Sequence, residues 1–478
     1  MREFTEQVLE AARRRGATYA DVRVVDKRSE TVSVRRGIPN LSRGSSRGFG
    51  VRVVRDGAWG FASSPDFDRE AVEKTAEKAV ALARASALCK QDDVVLSFEK
   101  PLSGSYSTPV KQDPFTVKVE ERAALLLDID RLMRQQAGVR STASYIRCEG
   151  QDKVFASSEG AYLEQTLTEV GASISATAAD GGESQTRSYP NGRSGGHASA
   201  GFEFVAGLGL EREAERVGRE AVELLQAEQT PSETTDLILD GSCLALHVHE
   251  TVGHPIELDR VLGWEISMAG ASFLTPNYLG NLQYAAGHVN LTADATIPGG
   301  LGSFGYDDDG VPAQRADIVK DGIFVGYLTS RETAPTLGQT SMGASRATDW
   351  NKLPLVRMTN VNLEPGDWST HQLIAGTKRG ILMEGIGSGS IDDMRTNFQF
   401  GPEIAWEIRD GAKGKMYRNP TYTGRTLDFW RGCDAVAKDG WRVWGLPSCG
   451  KGQPGQVAHV GHGAAPARFT GVKVGVGQ

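Results

Sequence analysis

The 478-residue chain holds 53 Lys and Arg against 60 Asp and Glu, a formal net charge of −7, with 39% apolar and 24% charged residues. That length exceeds one ordinary core, so two or more domains are expected, and the acidic balance argues against a nucleic-acid or anionic-membrane surface. No apolar run is long enough to span a bilayer, and MREFTEQVLEAARRRGA at the start is an amphipathic pattern rather than the apolar core of a signal peptide.

In chain order, residues 3–15 read as a helix with Phe4, Val8, Leu9 and Ala12 on one face. Segments 21–26 and 29–36 alternate polar with β-branched residues, and Asp56-Gly57 sits between two further strand patterns as a hairpin signal. Residues 67–87 form a second amphipathic helix. A similar order recurs: a helix over 116–137, strands near 142–148, 152–157 and 161–178, and a long helix at roughly 207–227. Helix, antiparallel strands, helix appearing twice hints at a duplicated α+β layer. The polar stretch 228–235 marks a boundary, giving an N-terminal domain over 1–230 and a C-terminal domain over 231–478.

Beyond it, LILD at 237–240 reads as a buried strand entering a helix. Strands and glycine turns then dominate, with Asp-Gly hairpin signals at 321–322 and 410–411. Segment 380–389 contains a short apolar strand, and GIGSGS reads as a turn between strands, since no lysine follows to make a phosphate loop. Asp307–Asp309 and the following glycine read as a β-turn. Five widely spaced cysteines without a C-x-x-C suit free thiols in a reducing, cytoplasmic compartment.

One hexapeptide stands apart, His249-Glu250-Thr251-Val252-Gly253-His254. With eight histidines in the chain, chance supplies about 0.02 such patterns. The spacing is one longer than H-E-x-x-H. On an ideal helix the two imidazoles then lie about 140° apart. They reach one ion only if a π-type turn widens the helix or if the helix ends there. Gly253 and Pro255 favour termination, because Pro255 disfavours helical geometry at His254. Glu250 is placed as the general base that activates a metal-bound water. A third ligand must come from elsewhere. His247 faces the wrong side of the helix, Glu257 and Asp259 lie just past the proline, and Cys449, His459 and His462 are distant candidates. Zinc takes a thiolate readily, which sets Cys449 slightly ahead of Glu257.

These residues resemble the TldD/PmbA (TldD/TldE) metallopeptidases. The resemblance runs over nearly the whole chain: GFGVRVVRDGAWGFAS, LILDGSCLALHVHETVGHPIELD, FGYDDDGVPAQRADIVKDGIFVGYLTSRETA, ASRATDWNKLPLVRMTN and SCGKGQPGQV. It implies His249, His254 and Cys449 as zinc ligands and Glu250 as catalytic base. The Cys449-Gly450-Lys451-Gly452-Gln453 segment is one residue shorter than in some members, which bears on the loop and not on the cysteine. The implied fold is α+β, an N-terminal α/β domain of helices and antiparallel strands followed by a β-rich, barrel-like C-terminal domain carrying the zinc-site helix. The implied activity is hydrolysis of peptides or unfolded polypeptides inside a dimer cavity, with a TldE/PmbA-like subunit or a second copy as partner. The alternative is a non-catalytic peptide-binding subunit with a structural metal, in which His459 or His462 would close the site. Arg346 and Arg357, in a family-like stretch, read as surface or inter-strand salt-bridge residues.

Overall fold

A computed structural model describes residues 1–192, 194–267 and 270–475; residues 193, 268, 269 and 476–478, which fall inside the two expected domain ranges, lie outside the described residues. The fold is α+β.

The N-terminal half contains two sets of helix, three strands, helix. The first runs through helix Arg2–Arg14, strands Tyr19–Arg35, Ile38–Arg55 and Ala58–Ser64, and helix Arg69–Ala87. The second runs through helix Val119–Arg134, strands Val139–Ser157, Tyr162–Asp180 and Glu183–Tyr189, and helix Leu210–Gln226. Their leading strands pair antiparallel, from Asp21 opposite Ser157 to Arg35 opposite Ala143, so both sets share one sheet. The apolar helix faces cover it: Val8 and Ala12 join Val22, Phe49 and Val51 in one core, and Leu126, Ile129 and Val217 join Ile146 and Ile174 in another.

Two segment pairs that read as short separate strands are single long ones. Segments 21–26 and 29–36 belong to Tyr19–Arg35, and 142–148 and 152–157 belong to Val139–Ser157. The polar residues that look like breaks face each other across the ladder, with Lys27 3.2 Å from Glu149. The three Asp-Gly pairs read as hairpin signals turn as their chemistry requires. Asp56, Asp321 and Asp410 have φ of 53°, 49° and 49°, and the following glycines are also positive, the geometry a two-residue hairpin of matching twist needs.

In the C-terminal half five strands close on themselves. Glu233–Leu239 lies between Arg379–Ile391, parallel, and Ala467–Val474, antiparallel. Ala467–Val474 pairs with Tyr422–Arg425, which pairs with Asn397–Arg409, and that strand returns to Arg379–Ile391. Closure leaves these ladders without an open edge. GIGSGS is not a turn: it continues strand Arg379–Ile391, with a register shift between Ile386 and Ser388. The glycines there allow a bulge rather than a chain reversal.

Leu237-Ile238-Leu239 leads directly into helix Gly241–Val248, whose N-terminus is capped by Asp240 accepting from the Cys243 amide at 2.8 Å. His247 is buried among Phe398, Phe400, Tyr422, Phe429 and Trp430, ring centroids 4.2–5.9 Å away. Burial pushes its pKa down to about 3, so it is a neutral core residue pointing away from the ligand side, as its spacing predicts.

The two halves are joined by buried charge. Asp308 pairs with Lys153 at 2.9 Å and Arg23 at 3.5 Å, and Asp309 with Arg52 at 2.7 Å. The acidic run is a turn, but the side chains of Asp308 and Asp309 reach residues of the N-terminal sheet. Among the described residues no helix is long and apolar enough to cross a membrane.

Candidate metal centre

The α-helix ends at Val248 and the next five residues, His249–Gly253, form a π turn. The His254 amide donates to the His249 carbonyl at 3.1 Å, a five-residue step. This corrects the expectation that the helix simply terminates. His254 keeps helical φ and ψ of −68° and −40° despite Pro255, and the chain leaves the helix only afterwards. The reason is tertiary. Tyr284 donates its hydroxyl to the Thr251 carbonyl, and Trp430 donates to the Thr251 hydroxyl at 3.0 Å. A Cβ on Gly253 would lie 2.1 Å from the Met358 sulfur, so any side chain there would displace the buried Met358.

The extra residue brings the histidines together. Ligand atoms of His249, His254 and Cys449 all lie within 4.8 Å of one another, and all three side chains are buried. Cys449 Sγ is 3.7 Å from His254 Nε2. A tetrahedral zinc with its usual bond lengths separates a sulfur and a nitrogen by about 3.6 Å. Cys449 is delivered by the hairpin of strands Arg442–Lys451 and Gln456–Ala464, opposite Ala458. Burial pushes its thiol up, but Arg357 and His254 outweigh that and leave its pKa lowered, the direction that favours a thiolate ligand.

A second ring of contacts fixes both imidazoles. His462 Nδ1 lies 3.1 Å from the Val361 carbonyl, which accepts only from a protonated nitrogen, so His462 Nε2 carries a lone pair. That nitrogen sits 2.8 Å from His249 Nδ1, which must therefore donate, leaving His249 Nε2 free as a ligand atom. His254 Nδ1 lies 3.0 Å from Glu257 Oε2, the carboxylate–histidine arrangement that orients metal ligands. Burial lowers the pKa of His249 to about 4 and that of His462 well below its usual value, so both are neutral, as ligation requires. The residues present fit a metal ion.

Glu257 and Asp259, weighed as third ligands from sequence, serve the second ring. Both are buried beside Lys451, whose ammonium lies 2.6 Å from Asp259 and 3.4 Å from Glu257. His459 pairs with Glu169 and lies outside the cluster, and His462 spends its Nε2 on His249. Among the described residues the cluster therefore offers three candidate ligand atoms.

Glu250 is partly exposed, its side chain 24% accessible, unlike the ligands around it. Arg395 Nη1 donates to its carboxylate at 2.6 Å. Sequence reasoning missed Arg395, which lies in the turn between two barrel strands. Its φ of 65° is left-handed, a conformation that costs a non-glycine residue about 1–2 kcal/mol. Asp392 holds that turn by accepting from the Thr396 and Asn397 amides at 2.7 and 3.0 Å. Arg346 and Arg357 are not surface salt-bridge residues. Arg357 is 1% exposed and donates to the Cys449 carbonyl; Arg346 donates to the carbonyls of Met358 and His459 at 3.0 and 2.8 Å.

Fold and donor set define an α+β barrel protein with one buried Cys/His/His centre able to hold a metal ion. Residues 232–475 match the PmbA/TldA metallopeptidase C-terminal domain, residues 20–83 domain 1 of that metallopeptidase and residues 112–227 its central domain. The chain belongs to the PmbA/TldD metallopeptidase family. It is 32% identical to a metalloprotease of Methanocaldococcus jannaschii over 94% of this chain and 95% of that one. A TldD-homologue metalloprotease of Haemophilus influenzae is 26% identical over 96% and 93%. Among solved structures, TldE of Thermococcus kodakarensis matches with a TM-score of 0.73 at 17% identity, covering 99% of this chain and 100% of that one.

Proposed function

We propose that the chain is a zinc-dependent peptidase of the TldD-like, catalytic kind, acting on peptides or unfolded polypeptides. The observation that carries this reading is the convergence of His249, His254 and Cys449 within 4.8 Å of one another, with Glu250 beside them on the accessible side. Cys/His/His is a zinc donor set, and a relative from Saccharolobus solfataricus, 21% identical over 96% of this chain, is named a zinc metalloprotease.

Zinc held there would supply Lewis acidity, polarising a peptide carbonyl and easing removal of a proton from water. The chain's own residues do the rest. Glu250 accepts that proton and returns it to the leaving amine. Arg395 holds the Glu250 carboxylate toward the site. Glu257 and His462 keep the two imidazoles in register, and Lys451 and Arg357 balance the buried negative charge around them.

The alternative of a structural metal in a non-catalytic subunit needs a fourth protein ligand to close the site, and His459 and His462 are otherwise engaged. A TldE/PmbA-like subunit or a second copy is the expected partner, closing a cavity over the site. Five free cysteines support a reducing, cytoplasmic compartment. Metal removal tests the reading. Dialysis against a chelator should abolish cleavage of an unfolded polypeptide, and zinc should restore it; cleavage that survives complete metal removal overturns the proposal.

A further inference from the structure

Beside the metal centre, at the seam between the N-terminal sheet and the C-terminal half, lies a cavity of about 230 Å³. That is room for one side chain or chain end rather than for a large ligand. Its walls are charged, and most of the charge is already matched. Glu149 has Lys27 at 3.2 Å and Arg147 at 2.6 Å, Asp308 has Lys153 at 2.9 Å, and Glu169 has His459. Asp307 is absorbed by the backbone, accepting from the amides of Asp309, Val311 and Ser345 at 2.9–3.0 Å. Burial and the neighbouring Asp309 raise its carboxyl pKa, while these three amide donors oppose that shift.

Two cations remain. Arg357 is 1% exposed, its Nη2 is used on the Cys449 carbonyl, and its Nε and Nη1 have no hydrogen-bond partner. Among the described residues Arg346 donates only to two backbone carbonyls, and it lies 5.3 Å over the Phe304 ring. Neither guanidinium has a carboxylate within ion-pair distance among the described residues, although Glu169 and Asp308 act on Arg346 from farther away; both guanidinium groups line the same cavity. Arg357 faces the Cys449 thiol whose pKa it lowers, so what stays unmet is the hydrogen bonding of its Nε and Nη1, which a bound carboxylate satisfies. The planar fork of an arginine matches a carboxylate best.

We propose that this cavity is a carboxylate subsite for the peptide substrate, with Arg346 and Arg357 as its cationic wall. The inference rests on the peptidase reading above and deepens it: the enzyme selects peptides that place an acidic side chain, or their own C-terminal carboxylate, in this cavity. Arg357 contacts the backbone of ligand residue Cys449, so an occupied subsite is tied directly to the strand that delivers the metal ligand.

The probes are alanine-based hexapeptides with Glu stepped through each position, their Gln twins, and the C-terminal amide of each. Binding is measured by calorimetry on the zinc-loaded Glu250→Gln protein, which leaves the peptides uncut. At one position of Glu, or for free acid against amide, affinity should be at least roughly tenfold higher, as paired charge-assisted hydrogen bonds provide. The first arm identifies an acidic side chain as the ligand and the second a chain terminus. Adding Arg346→Gln or Arg357→Gln should collapse the ratio between twins. Because twins are compared on the same protein, a variant that binds all peptides less tightly still reports, and Arg346→Gln carries the test if Arg357→Gln does not fold. Equal affinities in both arms, or a ratio that survives both substitutions, overturns the subsite. If Arg357 only supports the Cys449 thiolate, its loss lowers zinc content and leaves the ratio intact, which also overturns it. The peptidase reading fails separately, when the unsubstituted zinc-loaded protein cuts none of the hexapeptides whatever their binding preference.

Discussion

Lys451 and Asp259 form a fully buried ion pair, nitrogen to oxygen 2.6 Å, and the same ammonium lies 3.4 Å from Glu257. Glu257 in turn orients His254. One lysine, two residues after Cys449, therefore ties the strand that carries the thiol to the turn that carries the second histidine. Removing one partner of a buried pair leaves the other charge uncompensated, a loss of about 3–5 kcal/mol. Lys451→Met should lower the denaturant midpoint accordingly and reduce zinc content. A midpoint equal to that of the parent protein would contradict the ascribed role.

The His462–His249 contact makes a second prediction. With His462→Ala, the His249 Nδ1–H loses its acceptor, and the tautomer that exposes Nε2 is no longer enforced. Such outer contacts typically contribute 10- to 100-fold in metal affinity, so a loss of about that size is expected in chelator competition. Unchanged affinity would show that the relay from the Val361 carbonyl does not govern ligation.

Arg395→Met tests positioning rather than chemistry. The variant should retain zinc, because the Arg395 hydrogen bond described above goes to Glu250 rather than to a ligand side chain, while kcat falls by about tenfold or more as Glu250 loses its fixed orientation. Parallel loss of zinc would assign Arg395 to the metal site's stability instead.

How much of this was legible beforehand varies by the range of the interactions involved. The Asp-Gly hairpins depend on local φ preference and were readable at all three positions. The three residues proposed as ligands were readable as candidates because their types are chemically specific, although Cys449 was only slightly ahead of Glu257 without the family resemblance. The π turn was not. Pro255 argued locally for helix termination, while contacts from Tyr284, Trp430 and Met358 decided otherwise. Arg395 carried no spacing signal at all, since its partner Glu250 is 145 residues away in sequence. Arg346 and Arg357 looked like ordinary surface cations because sequence does not reveal burial.

The seam has an acid dependence of defined sign. Burial raises the Glu149 carboxyl, but Lys27, His459 and Arg147 outweigh it and hold its pKa at about 2, below its ordinary value of 4.5. A carboxylate with a depressed folded-state pKa stabilises the fold above its unfolded pKa, and that stability is lost as pH falls through the folded value. The parent protein should therefore be more stable than Glu149→Gln near neutrality, and the gap should narrow as pH falls from 4.5 toward 2. Thermal unfolding across that range reads it directly; a gap independent of pH would contradict the assignment.

The proposed activity requires a metal held by His249, His254 and Cys449 and proton transfer by Glu250. The Glu250→Gln variant separates those two roles in one preparation, by metal analysis and peptide cleavage on the same sample. Zinc should remain at one per chain while turnover falls by about 10²- to 10⁴-fold, the usual contribution of a general base. Undiminished cleavage by the zinc-loaded variant would contradict the account.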